Sequence, residues 1–233
     1  MYKRKKILGL IIARAGSKGL KNKNLLNLAG KPLVDWTFIA AKKSKLLDHV
    51  MISTDDLNII KRAAEQGVHA PFRRPINISD DKSSAVDVAL HALNFLKEKY
   101  DYLVLLQATS PLRQSTDIDE GIRQCINKNA KSLMGIVSFE KNPFWLKFLN
   151  KKGEIRPLLK SKISHNRRQD ADHYFLPNGA IYVVDIKTFR KKKTFSLPGT
   201  LGLEMPIERS IDIDSKKDLV LAEYYMKIFK KNN

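Results

Sequence analysis

Seven apolar residues, Ile7 to Ala13, run without a polar break into Arg14-Ala15-Gly16-Ser17-Lys18-Gly19, and this junction constrains the fold more than any other stretch. Basic residues at 3–6 and the Ala13-Arg14-Ala15 triplet give the same letters the look of a secretory leader. An export segment, however, carries about 7–15 strongly apolar residues and a small, neutral cleavage site. Here the run is interrupted by Gly9 and followed by Arg14, Lys18, Lys21 and Lys23. A retained strand, buried on both faces as in a parallel sheet and ending in a turn, is therefore expected. Gly16 and Gly19 let the turn's backbone approach a ligand closely. Ser17 adds a hydroxyl, and Arg14, Lys18 and Lys23 add charge, while Lys21 is expected to be solvated. The loop suits phosphate, although it is neither a Walker loop nor a dinucleotide fingerprint.

Downstream, helix and strand signals alternate. Helices are expected over 31–44, 56–67, 83–99, 118–127 and 216–229. Buried strands are expected over 49–54, 102–107, 132–139 and 179–185, with a further short strand at 68–73. Such alternation predicts an α/β fold, three-layered and Rossmann-like, on a mostly parallel central sheet. No repeat or long linker divides residues 1–233, so a single domain is expected, with 140–176 as an excursion between strands. Ligands in open α/β sheets gather at the carboxyl ends of the strands. The corresponding segments are 14–24, 53–56, 73–84, 107–113 and 138–147, and polar residues concentrate there.

Composition narrows the function classes. No apolar run approaches the roughly 20 residues that cross a bilayer, so membrane insertion is not expected. The single cysteine, Cys125, excludes an internal disulfide and suits a reducing, cytoplasmic setting. Lys and Arg number 43 against 24 Asp and Glu, a net charge of +19 that calls for a polyanionic partner. Nine of the basic residues and one acidic residue, Glu154, lie between Lys141 and Arg168. A basic nucleic-acid-binding protein is the rival reading. It lacks an aromatic-interleaved basic motif, zinc-finger spacing or a zipper heptad, so no specific nucleic acid is expected. The five histidines show no metal-ligand spacing, and no Ser/His/Asp or Cys/His arrangement stands out.

The segment SIDIDSKKDL, residues 210–219, is legible on physical grounds. Read as a strand, it sends Ile211 and Ile213 to one side and Asp212 and Asp214 to the other. The two aspartates then start about 7 Å apart at Cα, from a rise of roughly 3.3 Å per residue, and suit a hard cation such as magnesium. The competing reading makes one aspartate a helix cap and leaves the other solvated. Asp55, at the end of the second strand, is a further site candidate.

IIARAGSKGLKNKNLLNLAGKPLVDWTFIAA resembles the opening motif of the CMP-sugar synthetases, in particular the acylneuraminate cytidylyltransferases. The family pattern R-x-x-S-K-x-x-x-x-K-N is matched position for position between Arg14 and Asn24. RRP (73–75), SDDKSS (79–84), LLQATSPLR (105–113), RRQD (167–170) with PNGAIYVVD (177–185), and D-I-D (212–214) follow in family order.

That resemblance implies a nucleotidyltransferase version of the fold and an enzyme that joins CTP to an anionic nine-carbon keto sugar acid, releasing pyrophosphate. N-acetylneuraminate or a close relative is the implied acceptor, with legionaminate, pseudaminate or another nonulosonate as the alternative. Lys23, Arg14 and Asp212 are the implied catalytic residues. Nucleotide contacts fall to Arg14, Ser17, Lys23, Asn24, Arg74, Ser83, Ser84 and Gln107, with Arg113 adding charge at the exit of its loop. Sugar contacts fall to Gln107, Lys147, Arg168, Gln169 and Asn178, and Mg2+ (or Mn2+) to Asp212 and Asp214. A homodimer is implied, with 140–176 pairing subunits and covering the neighbour's sugar pocket. Ala108 stands where the family has Pro, and Leu176 stands where many relatives carry Arg.

Overall fold

The computed structural model describes residues 1–16, 19–80, 83–159 and 173–231. The opening apolar run forms β1 (Ile7–Ile12), and its neighbours in the sheet are β4 (His49–Ser53) and β5 (Tyr102–Gln107), both parallel to it. Two short strands, β2 (Asn27–Leu28) and β3 (Lys31–Pro32), make a separate ribbon just before α1 (Leu33–Lys43). Helix α2 (Leu57–Glu65) starts at Asp56, whose carboxylate accepts from the Asn58 amide at 2.8 Å. Helix α3 (Ala85–Phe95) leads into β5, and α4 (Ser115–Asn127) leads into β6 (Ser132–Phe139). A small hairpin of β7 (Lys147–Leu149) and β8 (Ile155–Pro157) precedes the long β9 (Tyr174–Asp185). Helix α5 (Ile186–Lys192), β10 (Leu201–Glu204) and α6 (Lys216–Lys231) complete the chain order.

The main sheet has six strands in the order β10-β6-β9-β5-β1-β4. Only β9 runs against its neighbours β5 and β6, so the sheet is mostly parallel. Along β1, Ile7 and Ile11 pack with Val34, Phe38, Ile59 and Ile118 on one face. Leu8 and Leu10 pack with Ala89, Leu93 and Phe189 on the other. Helices therefore cover both faces, which gives the three layers that the double-sided burial of the run requires. A third apolar cluster joins Leu20, Leu33, Leu112, Ile213 and Met226, and it pins α6 and its approach to the opening loop.

Three expectations change. Residues 68–73 form no strand; a single bridge, Met51 with His69, is all that Pro71 and the following Arg-Pro turn leave. Residues 211–214 form no ladder either, with the Ile213 amide donating to the Thr109 carbonyl at 2.9 Å. Their alternation survives, because Ile213 is fully buried while Asp212 and Asp214 point away from that core, Asp214 open to solvent and Asp212 against Thr109. The strand expected at 179–185 starts five residues earlier, at Tyr174, and its first part pairs with the end of β6.

Arg113 is also turned inward, 3% exposed, rather than adding charge at its loop's exit. It donates to the Ala180 carbonyl at 2.8 Å, the Gln107 carbonyl at 3.3 Å and the Thr37 hydroxyl at 2.8 Å. It thereby ties the end of β5 to β9 and α1. Burial lowers its pKa to about 10, and the nearby Asp117 carboxylate opposes that shift. Arg113→Ala strands two buried carbonyls and should lower unfolding free energy by about 2–4 kcal/mol in urea titration. A loss below the error of that measurement contradicts the bracing role.

Candidate active site

The loop after β1, the segment after β4 and the end of β5 meet at the carboxyl edge of the sheet around a cleft of about 230 Å³. Arg14, Lys23, Asn24, Arg74, Ser83 and Gln107 all line it. Local chemistry sets the walls. The Asn24 amide donates to the Arg14 carbonyl at 3.0 Å and folds the basic loop back on itself. Its Oδ1 is buried and has no hydrogen-bond partner among the described residues, an acceptor available to a ligand donor. Asp55 accepts from the Ala15 amide at 3.0 Å and from Arg74 at 3.3 Å, so it clamps the same loop from the end of β4.

Arg74 is 4% exposed and donates further to the Ala13 carbonyl at 2.9 Å, the Ser53 carbonyl at 3.4 Å and the Ser79 hydroxyl at 3.0 Å. Burial lowers its pKa, with Asp55 opposing the shift. Its guanidinium thus holds three strand-end segments together from the back of the cleft. Ser83 exchanges hydrogen bonds with Asp80, whereas Ser84 caps α3 by accepting from the Asp87 amide at 3.1 Å.

A second group of polar residues adjoins this cleft. Lys23 forms an ion pair with Asp214 at 2.7 Å, Lys23 being largely covered and Asp214 open. The Thr109 hydroxyl, also on the cleft wall, bonds the Asp212 carboxylate. Burial among these groups pushes the Asp212 pKa up; the Thr109 bond and Lys23 oppose the rise, and Asp214 adds to it. Gly179, at φ +74°, sits where Gln107 Oε1, Ser110 Oγ and Asp212 Oδ2 converge, so a side chain there would meet all three. The Ser110 hydroxyl is buried and has no hydrogen-bond partner among the described residues. Thr109, Ser110 and Gly179 were not singled out from sequence, although polar residues at the end of a buried strand were the available signal.

The other expected residues lie elsewhere or outside the described residues. Asn178 is buried in the irregular part of β9; it donates to the Ser210 hydroxyl at 3.0 Å and accepts from the Ala180 amide at 3.0 Å. Lys147 is exposed on the β7–β8 hairpin and does not line the cleft. Ser17, Arg168 and Gln169 fall outside the described residues.

A sequence model of the cytidylyltransferase family matches residues 8–231. The chain belongs to the cytidylyltransferase family. It is 32% identical over 213 residues to an N-acylneuraminate cytidylyltransferase of Streptococcus agalactiae, covering 91% of this chain and 51% of that protein. The chain thus spans about half the length of this relative. It is 30% identical to the pseudaminic acid cytidylyltransferase of Campylobacter jejuni, covering 96% of this chain and 97% of the relative. It is 31% identical to the CMP-N,N'-diacetyllegionaminic acid synthase of Legionella pneumophila, again covering 96% and 97%. Among solved structures, a CMP:2-keto-3-deoxy-manno-octonic acid synthetase complexed with CTP superposes with a TM-score of 0.71 at 18% identity, covering 96% of this chain and 99% of that one. That likeness bears on the fold alone, an α/β arrangement on a mostly parallel central sheet.

One contact ties the two halves of the site. A Cβ on Gly19 would lie 2.6 Å from the Asp214 carbonyl oxygen, a backbone atom that cannot swing aside. Gly19→Ala should therefore displace Asp214 from Lys23, cutting turnover at least tenfold while lowering thermal stability only modestly. Turnover equal to the wild type contradicts the coupling.

Proposed function

We propose that the chain is a CTP:nonulosonate cytidylyltransferase acting on N-acetylneuraminate or a close relative. The observation that carries this reading is the strand-end cleft itself, where Arg14 and Lys23 meet the Lys23–Asp214 pair and the raised Asp212. Nucleotidyl transfer depends mainly on positioning and on balancing phosphate charge, which this set of groups can supply. The sugar hydroxyl attacks the α-phosphorus of CTP, a P–O bond to the sugar forms, the bond to pyrophosphate breaks, and the hydroxyl proton passes to solvent. Arg14 and Lys23 bind the triphosphate oxygens, Asn24 and Ser83 orient the nucleoside, and Gln107 bridges nucleotide and sugar. Arg74 and Asp55 hold the loop in place for this contact.

Asp212 and Asp214 fit a magnesium or manganese ion by the chemistry of their oxygens. Their mutual repulsion and the upward shift of Asp212 are what a nearby dication would relieve. When bound, such an ion supplies charge neutralisation at the transferring phosphate. Lys23, already paired with Asp214, would then turn toward the nucleotide.

The relatives named above act, by their names, on sialic, pseudaminic and legionaminic acids, and their similar identities do not choose among the three. Leu176 is half exposed and neutral at a position where the family resemblance implies Arg, which supports pseudaminate and legionaminate as alternative acceptors. Pyrophosphate release measured with CTP and a panel of nine-carbon keto acids tests both class and acceptor. Release with at least one of them is expected, and none with any of them contradicts the reading. Lys23→Ala should reduce that release at least a hundredfold.

Asp212 also makes a pH prediction. Its folded pKa lies above the ordinary carboxylate value, so the charged form is disfavoured by folding. The penalty is present at neutral pH and disappears as pH falls through the folded pKa. In chelator-treated protein, Asp212→Asn should therefore melt higher than the wild type at pH 7, the difference shrinking toward pH 4; with magnesium restored, it should lose most of the wild-type turnover. A variant that melts lower at pH 7 contradicts this account.

Subunit pairing through the excursion belongs to the same proposal. Trp145, Phe148, Leu149, Ile155 and Leu158 on and around the β7–β8 hairpin are each at least half exposed. No core lies beneath a two-stranded ribbon, so these side chains need a partner surface. A second copy of the chain is the partner proposed. Sedimentation at micromolar protein should give twice the mass of a 26.6 kDa chain. A fully active species of single-chain mass contradicts it.

A further inference from the structure

At the far edge of the sheet from this excursion, His49 opens β4 and His69 follows the α2 turn, twenty residues away in sequence. No ligand spacing relates them, yet the Met51–His69 bridge brings them together. His49 Nε2 and His69 Nδ1 lie 3.2 Å apart in a surface cleft of about 340 Å³ lined also by Ser44, Leu47 and Gly67. Two nitrogens bound to one zinc ion at about 2.0–2.1 Å each, in tetrahedral geometry, stand about 3.3 Å apart. The observed separation is therefore within reach of chelation without moving either backbone.

The outer groups favour the same use. The Tyr100 hydroxyl donates to Glu98, so its oxygen accepts from His49 Nδ1 at 2.8 Å, and this assigns the His49 proton to Nδ1. His49 Nε2 then accepts from His69 Nδ1, and a cation bound by the pair would take the place of that proton. Lys6 in turn pairs with Glu98 and completes the relay. A histidine whose other ring nitrogen donates to a fixed partner is the usual arrangement of a metal ligand. His69 is exposed, so the second donor is open to solvent and can shift its own proton to Nε2.

We infer that His49 and His69 form a chelating site for a late first-row divalent cation such as Zn2+, separate from the nucleotide cleft. Imidazole nitrogens favour Zn, Ni and Cu over hard ions such as magnesium. Asp48 also lines this cleft, its carboxylate held by the Met1 ammonium and the Ile7 amide, and Lys42 lies there with its ammonium on the Gln66 carbonyl, so the imidazole donors select the ion. No group of three or more metal-type side chains occurs among the described residues, so water completes the coordination and the ion exchanges. A bound ion would clip β4 to the segment after α2, at the outer edge of the sheet.

Zn2+ binding by the untagged full chain, read by chelator competition with excess Mg2+ present, tests this. One Zn2+ per chain should bind, and Zn2+ should raise the melting temperature. His69→Ala, an exposed position, should weaken binding at least tenfold and abolish the thermal shift. Tyr100→Phe should weaken binding about tenfold by releasing His49. Cu2+ substituted into the wild type should show electron paramagnetic resonance splitting from two imidazole nitrogens, reduced to one in His69→Ala. Wild-type Zn2+ affinity in His69→Ala, or no imidazole splitting in the wild type, overturns the site.

Discussion

Burying β1 on both faces is the constraint on which the rest of the structure depends. A strand with parallel neighbours on either side and helices above and below has no solvent face, so its polar continuation can emerge only at the end. That end lies between the ends of β4 and β5, and the basic loop is thereby delivered to the middle of the sheet's carboxyl edge. Asp55 and Arg74 then fix the loop from the β4 side, while Arg113 fixes the end of β5 from beneath. The position of the cleft follows from the topology, in line with ligand placement in open α/β sheets generally.

Charge is used in two distinct ways around this edge. Arg74 and Arg113 are buried and donate mainly to backbone carbonyls, so they serve as internal braces. Lys23 sits at the rim, and its bond to Asp214 keeps two opposite charges in place until an anionic ligand competes for the lysine. Asp212 is held at a cost, with its pKa pushed up by burial. Such a strained set of carboxylates and cations is the kind of arrangement expected where phosphate chemistry is to be supported.

The fold was legible where hydrophobic periodicity was strong. YLVLLQ and SLMGIVSF are strands β5 and β6 with their expected ends, and the run from Ile7 is β1, one residue shorter than expected, because double-sided burial leaves a nearly unbroken apolar signature. The segments around 68–73 and 211–214 look like strands locally, but pairing depends on neighbours that a local pattern does not contain. In the site, residue type was legible and use was not. Arg74, Arg113 and Asn178 are legible as polar site candidates, and the structure adds the backbone contacts by which each braces the chain. Asp55, Thr109 and Gly179 acquire their parts only through contacts distant in sequence. The His49–His69 pair shows the same limit, since a spacing of twenty residues carries no local signal.

Calorimetric titration with CTP tests the central claim, that the cleft after β1 holds the nucleotide triphosphate, most directly. Wild-type protein should bind one CTP per chain, and Arg14→Ala should weaken that binding at least tenfold while leaving the unfolding midpoint within a few degrees. CTP affinity equal in the two proteins would contradict the account.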